Sequence, residues 1–285
     1  MKTQEVDYEN VFEQEFTLPP LPEVAAKLLD LIASERSSVI EVATLISADA
    51  GLSARVLQLV NSAYYALAHS IRDVKSAVGY VGLAQVERLV MMSSVMQALT
   101  SKSAEEQRRI WYHSYYTALT AKHVARRFEP TIEPDELYAA SLLHDIGQLV
   151  YLKFFPNDFR ELTAFAESRG RFLVDAERHF ERPSHLVLGG MLCEQWELPD
   201  VIKQACEVHE LEQLQETGDL HPIQMVTGVS NLFVHLADSK LEEDLKREVQ
   251  CCIKNRLGCS DEEFLTVIGE VYNLKSEVGR FLEQL

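Results

Sequence analysis

Cysteine is scarce and never spaced for a ligand pair. The five in 285 residues are Cys193, Cys206, Cys251, Cys252 and Cys259. None forms Cys-x-x-Cys, and an odd count in a chain of this size points to reduced thiols rather than a disulfide framework. The adjacent Cys251 and Cys252 read either as small side chains on a helix or as a redox-sensing pair. Positive charge is also short: 27 Lys and Arg face 44 Asp and Glu, for a net charge of −17. Such a surface repels phosphate backbones and anionic membranes, so neither nucleic acid nor a membrane is expected as a partner. No apolar run approaches the ~20 residues a spanning helix needs. The N-terminus, Met1 to Asp7, lacks the charged-then-apolar pattern of a signal peptide, which leads us to expect a cytoplasmic protein. A phosphate-cradling loop is missing, since Gly79-Tyr80-Val81-Gly82 is too short and has no Lys-Ser/Thr after it. There is no Gly-x-Ser-x-Gly elbow, no tandem repeat, and no alternating pattern that would make a strand.

What remains is helical periodicity, and the fold class it predicts is all-α, with two helical subdomains. The expected division is an N-terminal arm over 1–15, a helical subdomain over 16–102, a second helical subdomain over 103–240, and C-terminal helices over 241–285 packing on the second. The polar break Ser101 to Glu106 marks the boundary. Leu18-Pro19-Pro20-Leu21-Pro22 predicts a rigid extended entry, because each proline drives its predecessor out of the helical region. Asp49 to Leu52 reads as a turn. Continuous helices are predicted over 135–152 and 199–214. Ser37 or Ser38 is expected to cap one helix, and Ser260 with Glu263 has the form of a capping box for the last.

One segment stands apart. In Ala139-Ala140-Ser141-Leu142-Leu143-His144-Asp145-Ile146-Gly147-Gln148-Leu149-Val150, apolar residues surround a His-Asp pair on nearly every side, so it reads as a buried helix. A buried carboxylate needs a partner or a metal, and a neighbouring imidazole suits a divalent ion that accepts mixed nitrogen and oxygen donors. Other polar residues fall on inward faces of other helices: His113 with Ile110, Thr117 and Val124; His185 with Leu188 and Leu192; His209 with Ile202, Ala205 and Cys206; Asn231 with Thr227 and Val234. Each alone is more simply a hydrogen-bonded core residue.

Their order, a His, then His-Asp, then two His and an amide on successive helices, resembles the HDOD family, output-type relatives of the HD metal-dependent phosphohydrolases. The resemblance spans roughly residues 16–240. It rests on Leu18 to Pro22, on Ile46 to Tyr65, on Leu142 to Gly147, on Gln195-Trp196-Glu197-Leu198-Pro199, and on His209-Glu210. It implies an HD-like second subdomain with His113, His144, Asp145, His185 and His209 at metal-ligand positions. Asn231 stands where the last ligand would be an Asp, and Asp238, two turns on, substitutes only if the register differs. Two further departures from the cyclic-dinucleotide phosphodiesterases of the HD class are Gln148 in place of a Lys and Glu210 in place of a His.

Three readings follow. The first is a non-catalytic regulatory protein with a degenerate metal site, which works through other signalling proteins. The second is a metal-dependent phosphohydrolase with one or two iron, manganese or zinc ions acting on a nucleotide, a cyclic nucleotide or another phosphoester. In the third, no metal binds and the His-Asp pair is satisfied by neighbours such as Lys122 or Arg126. No phosphoacceptor or cyclase domain lies within these residues, so the input is expected from a separate molecule. In the first subdomain, Arg55 and Arg88 are expected to bridge helices through Asp49 or Glu87. Asn61, Tyr64 and Tyr65 read as packing or as a binding surface. Met91, Met92 and Met96 read as core or as an adaptable groove.

Overall fold

The computed structural model describes residues 38–282 apart from 63, 217 and 239, together with 27, 28 and 31. The arm over 1–15 and the Leu18 to Pro22 entry lie outside the described residues. Every regular element among the described residues is an α-helix, as the periodicity predicts. None is long and apolar enough to cross a membrane.

From residue 38 on, the first four helices are α1 (Val39–Ser47), α2 (Ala50–Val60), α3 (Val74–Val81) and α4 (Leu83–Ala98). Ser38 opens α1 through a reciprocal capping box with Glu41, which satisfies amide groups that the helix itself leaves unpaired. The predicted turn over 49–52 is instead the start of α2, because the Asp49 carboxylate accepts from the Leu52 amide at 2.9 Å and caps the helix. Helix α2 buries Leu52, Val56, Leu59 and Val60, one face of a 3.6-residue repeat. In α4, Val86, Leu89, Met92 and Val95 are fully buried and Met91 and Met96 nearly so, which makes the methionines core.

The 25-residue α5 (Ala104–Phe128) is the central strut of the remainder. Around it lie α6 (Pro134–Leu143), α7 (Ile146–Phe154), α8 (Pro156–Arg169), α9 (Leu173–His179), α10 (His185–Gln195), α11 (Asp200–Glu207), α12 (Leu211–Glu216) and α13 (Pro222–Asp238). Helices α6 and α13 pack on α5, and α10 packs on both α7 and α11. The last two, α14 (Glu243–Leu257) and α15 (Asp261–Leu282), rest on α13 and α5. Ser260 and Glu263 form the predicted capping box of α15, and the Tyr116 hydroxyl donates to the Val271 carbonyl at 2.6 Å.

The N-terminal helices grip the segments on either side of the His-Asp pair. Tyr64 stacks on Tyr138 of α6 with ring centroids 3.8 Å apart. Lys153 of α7 donates to the Ala98 carbonyl at 2.7 Å, covering a carbonyl at the C-terminal end of α4. Arg88 reaches Glu133 and Glu136 at 3.6 and 3.7 Å at the start of α6, rather than Glu87. Arg55 donates to Gln97 at 2.7 Å.

Candidate metal centre

Both His-bearing motifs sit at helix breaks, where the sequence predicts unbroken helices. The segment over 135–152 divides at His144-Asp145, and Asp145 leaves the helical region with φ −102° and ψ 18°. The segment over 199–214 divides at Val208 to Glu210, with Val208 extended at φ −136° and ψ 89°. The last carbonyls of a helix have no amide donor within it, and here the imidazoles supply one. His144 Nδ1 donates to the Ser141 carbonyl at 2.7 Å, and His209 Nδ1 to the Ala205 carbonyl at 2.9 Å. A carbonyl only accepts, so Nδ1 carries the hydrogen in each ring and Nε2 is turned inward.

Asp145 is the hub. Its Oδ2 lies 3.6 Å from His113 Nε2 and 3.5 Å from His144 Nε2. Its Oδ1 lies 3.6 Å from His185 Nε2 and 3.4 Å from His209 Nε2. The two groups able to hold an ion, His113 with His144 and Asp145, and Asp145 with His185 and His209, therefore share this one carboxylate. All but His113 are buried to within a few percent. Of the two cations in the third reading, Lys122 donates to the Tyr64 carbonyl and Arg126 is exposed, and the ion-pair partners of Asp145 among the described residues are imidazoles.

Asn231 faces this site and Asp238 does not; the latter is exposed and pairs with Lys275 at 3.0 Å. The Asn231 amide nitrogen donates to the His209 carbonyl at 3.1 Å, which turns its oxygen toward His113 Nε2 at 2.7 Å. His113 Nε2 therefore donates to it here, and would have to lose that hydrogen to ligate an ion. Asn231 thus ties two predicted ligands together without contributing charge.

Two acidic residues at the site are absent from the predicted set. Glu177 is buried on α9 and takes both the backbone amide and Nδ1 of His185 on one oxygen, at 3.1 and 2.8 Å. Carboxylates that hold the far nitrogen of a ligating His fix its orientation and raise its basicity. The motif order gave no sign of it; a Glu four residues after Leu173 on a short amphipathic helix looks like any surface acid. Glu210, in the sequence only a departure from His, lies 3.6 Å from His185 Nε2 and 3.9 Å from His209 Nε2. His235, four residues after Asn231 and so on its face, packs against His113 with centroids 4.7 Å apart.

The charges follow from this geometry. Burial would raise the Asp145 carboxyl, but His144, His209 and His185 hold it well below the usual carboxylate range. Burial pushes His144 down to about 3 despite Asp145 beside it. Burial alone would lower His185 as well, yet Glu177, Glu210 and Asp145 together raise it well above the ordinary imidazole value. Glu210 is lowered, since His185 and His209 outweigh its burial. Burial, with His113 adding to it, takes His235 down to about 4.

A cation fits this donor set. His144 Nε2 and Asp145 Oδ1 are buried without a hydrogen-bond partner, a state that normally costs ~1–3 kcal/mol. Donors ~2.05 Å from a tetrahedral ion stand ~3.3 Å apart, close to the 3.3 Å between His185 Nε2 and His209 Nε2 and the 3.4–3.6 Å to Asp145. Gly147 permits the arrangement: a Cβ there would stand 1.8 Å from the His185 carbonyl oxygen, so only glycine lets α7 meet the start of α10 this closely. A cleft of about 800 Å³ opens onto His113, Gln148 and His235, walled by Tyr112, Phe159 and Phe172.

The HDOD domain model matches residues 18–211. Among solved structures, an HDOD domain protein of unknown function from Geobacter sulfurreducens superposes with a TM-score of 0.69 at 23% identity, covering 95% of this chain and 96% of that one. A protein of Shewanella amazonensis SB2B provisionally named a phosphohydrolase gives 0.70 at 22% identity, over 94% and 95% of the two chains. At these identities the likeness is one of fold. An uncharacterized protein of Treponema pallidum (strain Nichols) is 25% identical over 224 residues, 77% of this chain and 43% of its own. The chain thus spans less than half the length of that relative.

Proposed function

The chain belongs to the HDOD domain family, and from that premise we propose that it is a regulatory protein whose HD-like site binds a divalent cation without hydrolysing a phosphoester. His113, His144, Asp145, His185 and His209 would hold the ion, with Glu210 beside them and Asn231 orienting His113 and the His209 backbone. The mixed nitrogen and oxygen donors suit iron, manganese or zinc. Such an ion supplies Lewis acidity and lowers the pKa of bound water. Few of the chain's own residues beside the ion site suit a phosphate. The neutral Gln148 lines the cleft next to His113, with Arg109, Arg171 and Lys240 set among Glu106, Glu167 and Asp238 in the same lining, and Glu210 adds a buried carboxylate against His185 and His209.

That loss of positive and imidazole character at Gln148 and Glu210 carries the reading, because phosphoryl chemistry depends on neutralising the transferring group. The route for a signal is also present. Tyr64, Arg88 and the Ala98 carbonyl contact α6 and α7, the two helices whose junction presents His144 and Asp145. A shift at that junction would be felt by the N-terminal helices, where other signalling proteins are the proposed partners. One observation favours the phosphohydrolase reading instead: the cleft reaches His113, at 19% side-chain exposure the most accessible of the predicted ligands.

Elemental analysis of chelator-free protein beside a His144→Ala, Asp145→Ala double variant tests the metal. Stoichiometric iron, manganese or zinc is expected in the parent and none in the variant. Hydrolysis of nucleotides, cyclic dinucleotides and a generic phosphodiester by the metal-loaded parent should not exceed that of the variant. Turnover abolished in the variant would overturn the regulatory reading in favour of the hydrolase.

A further inference from the structure

The pair Cys193 and Cys206 lies behind the metal centre and takes no part in it. Cys193 is on α10, which begins with His185. Cys206 is on α11, which ends just before His209. Both side chains are buried and free, and their sulfurs stand 3.7 Å apart. Helices α10 and α11 can meet this closely because of Gly189, one turn before Cys193. A Cβ on Gly189 would lie 3.1 Å from the Cys206 Cβ. Cys206 also donates through Sγ to the Leu143 carbonyl at 3.3 Å. Leu143 is the last residue of α6, immediately before His144, and this thiol serves one of the carbonyls that the helix end leaves without an amide. Cys193 S–H, Cys206 S–H and the Leu143 carbonyl thus form a short donor chain that ends at the break presenting His144 and Asp145.

We propose that Cys193 and Cys206 are a redox cross-linking site coupled to the His144-Asp145 break. Hydrogen peroxide or an organic hydroperoxide is the oxidant. Both S–H bonds and the peroxide O–O bond break, and one S–S bond forms. The two thiol hydrogens leave on the two peroxide oxygens, as two waters for hydrogen peroxide or as water and an alcohol for an organic hydroperoxide. Closing from 3.7 Å to the bonded S–S distance of ~2.04 Å is within reach of side-chain rotation together with a small helix shift. The product ties the segment that starts at His185 to the segment that leads into His209. It also removes the hydrogen that Cys206 gives the Leu143 carbonyl, so the C-terminal turn of α6 loosens at His144. Because thiolate is the reactive form and both sulfurs are buried, the reaction is slower than that of the exposed Cys251.

The full chain is exposed to graded hydrogen peroxide, denatured, alkylated and mapped by mass spectrometry. The expected product links the peptides carrying Cys193 and Cys206, is lighter by two hydrogens, returns to two thiols with dithiothreitol, and is absent from Cys193→Ser. Amide exchange over residues 143–148 should then quicken several-fold in the linked protein, reversibly, and stay unchanged in peroxide-treated Cys193→Ser. Recovery of both cysteines as thiols, or as sulfinic acids without a link, after Cys251 is fully oxidised would overturn the proposal. So would a link that leaves exchange over 143–148 unaltered. Neither readout requires bound metal, so the outcome stands apart from that of the function proposed above.

Discussion

The two halves of the candidate metal centre share one carboxylate and differ in almost everything else. On the Oδ1 side of Asp145 lie His185 and His209, with Glu210 against them and Glu177 behind, all of them buried. On the Oδ2 side lie His144 and His113, with the neutral amide of Asn231 and the cleft beyond. The inner half is rich in negative charge, and Glu177, Glu210 and Asp145 raise His185 above the ordinary imidazole value against its burial. In the outer half burial lowers His144 to about 3 and His235 to about 4. On the proposed reading, an ion would be gripped chiefly by the inner half. The outer half, which the cleft reaches, places the amide of Asn231 where a carboxylate would serve a second ion.

The variant with the largest expected effect erases the contrast. Asp145→Asn removes the carboxylate common to both halves, and we expect loss of all bound metal by elemental analysis; retention of an ion would mean that Glu210, not Asp145, is the hub. Gly147→Ala strikes the inner half alone. The added methyl meets the His185 backbone, which cannot move without shifting α10, and overpacking of this kind costs ~1–3 kcal/mol or more. A lowered urea midpoint with an unchanged slope would report it. Glu177→Gln leaves packing intact but weakens the hold on His185. A drop of ~10–100-fold in metal affinity, the usual effect at such outer partners, is expected by competition with a chelator.

Asn231→Asp would sharpen the comparison from the other side. It restores a carboxylate beside His113, and the expected gain is a second ion per chain at saturating manganese. An unchanged stoichiometry would show that the outer half is closed for reasons other than charge.

The smallest effect is the pH dependence of the metal-free protein, and it has opposite signs in the two halves. His144 and His235 have folded pKa values of about 3 and about 4, below the ~6.5 of an unfolded chain. The unfolded state takes up protons first, so stability is lost as pH falls through ~6.5 toward those values, by at most ~1.4 kcal/mol per pH unit for each ring. His185 is raised. Its contribution is fully present below ~6.5 and is lost as pH rises through its folded value. Urea midpoints between pH 5 and 8 should therefore fall less steeply on acidification in His144→Asn than in the parent. In His185→Asn, the midpoint deficit relative to the parent should shrink as pH rises.

Much of this was legible in the chain before any coordinates. Helical periodicity announced an all-α chain, Ser260 and Glu263 announced a cap, and the order of His113, His144-Asp145, His185 and His209 named residues that converge. The breaks were not legible. Apolar residues on all sides of His144-Asp145 satisfy a buried helix as well as a buried helix end, and periodicity has no term for a ring that caps its own helix through Nδ1. Glu210 showed only as a missing imidazole. Its charge acquired meaning once His185 and His209 lay within 4 Å of it.

The sequence by itself determined that the chain is helical, and which imidazoles and which carboxylate are candidates to meet. Those are consequences of local pattern, because burial periodicity and motif order are written one turn at a time. Tertiary structure decided how they meet: that Asn231 and not Asp238 faces the site, that Glu177 stands behind His185, that Gly147 admits α10, and that Cys206 reaches Leu143. Each of these depends on residues far apart in the chain being held within a few ångströms, and no local period carries that distance.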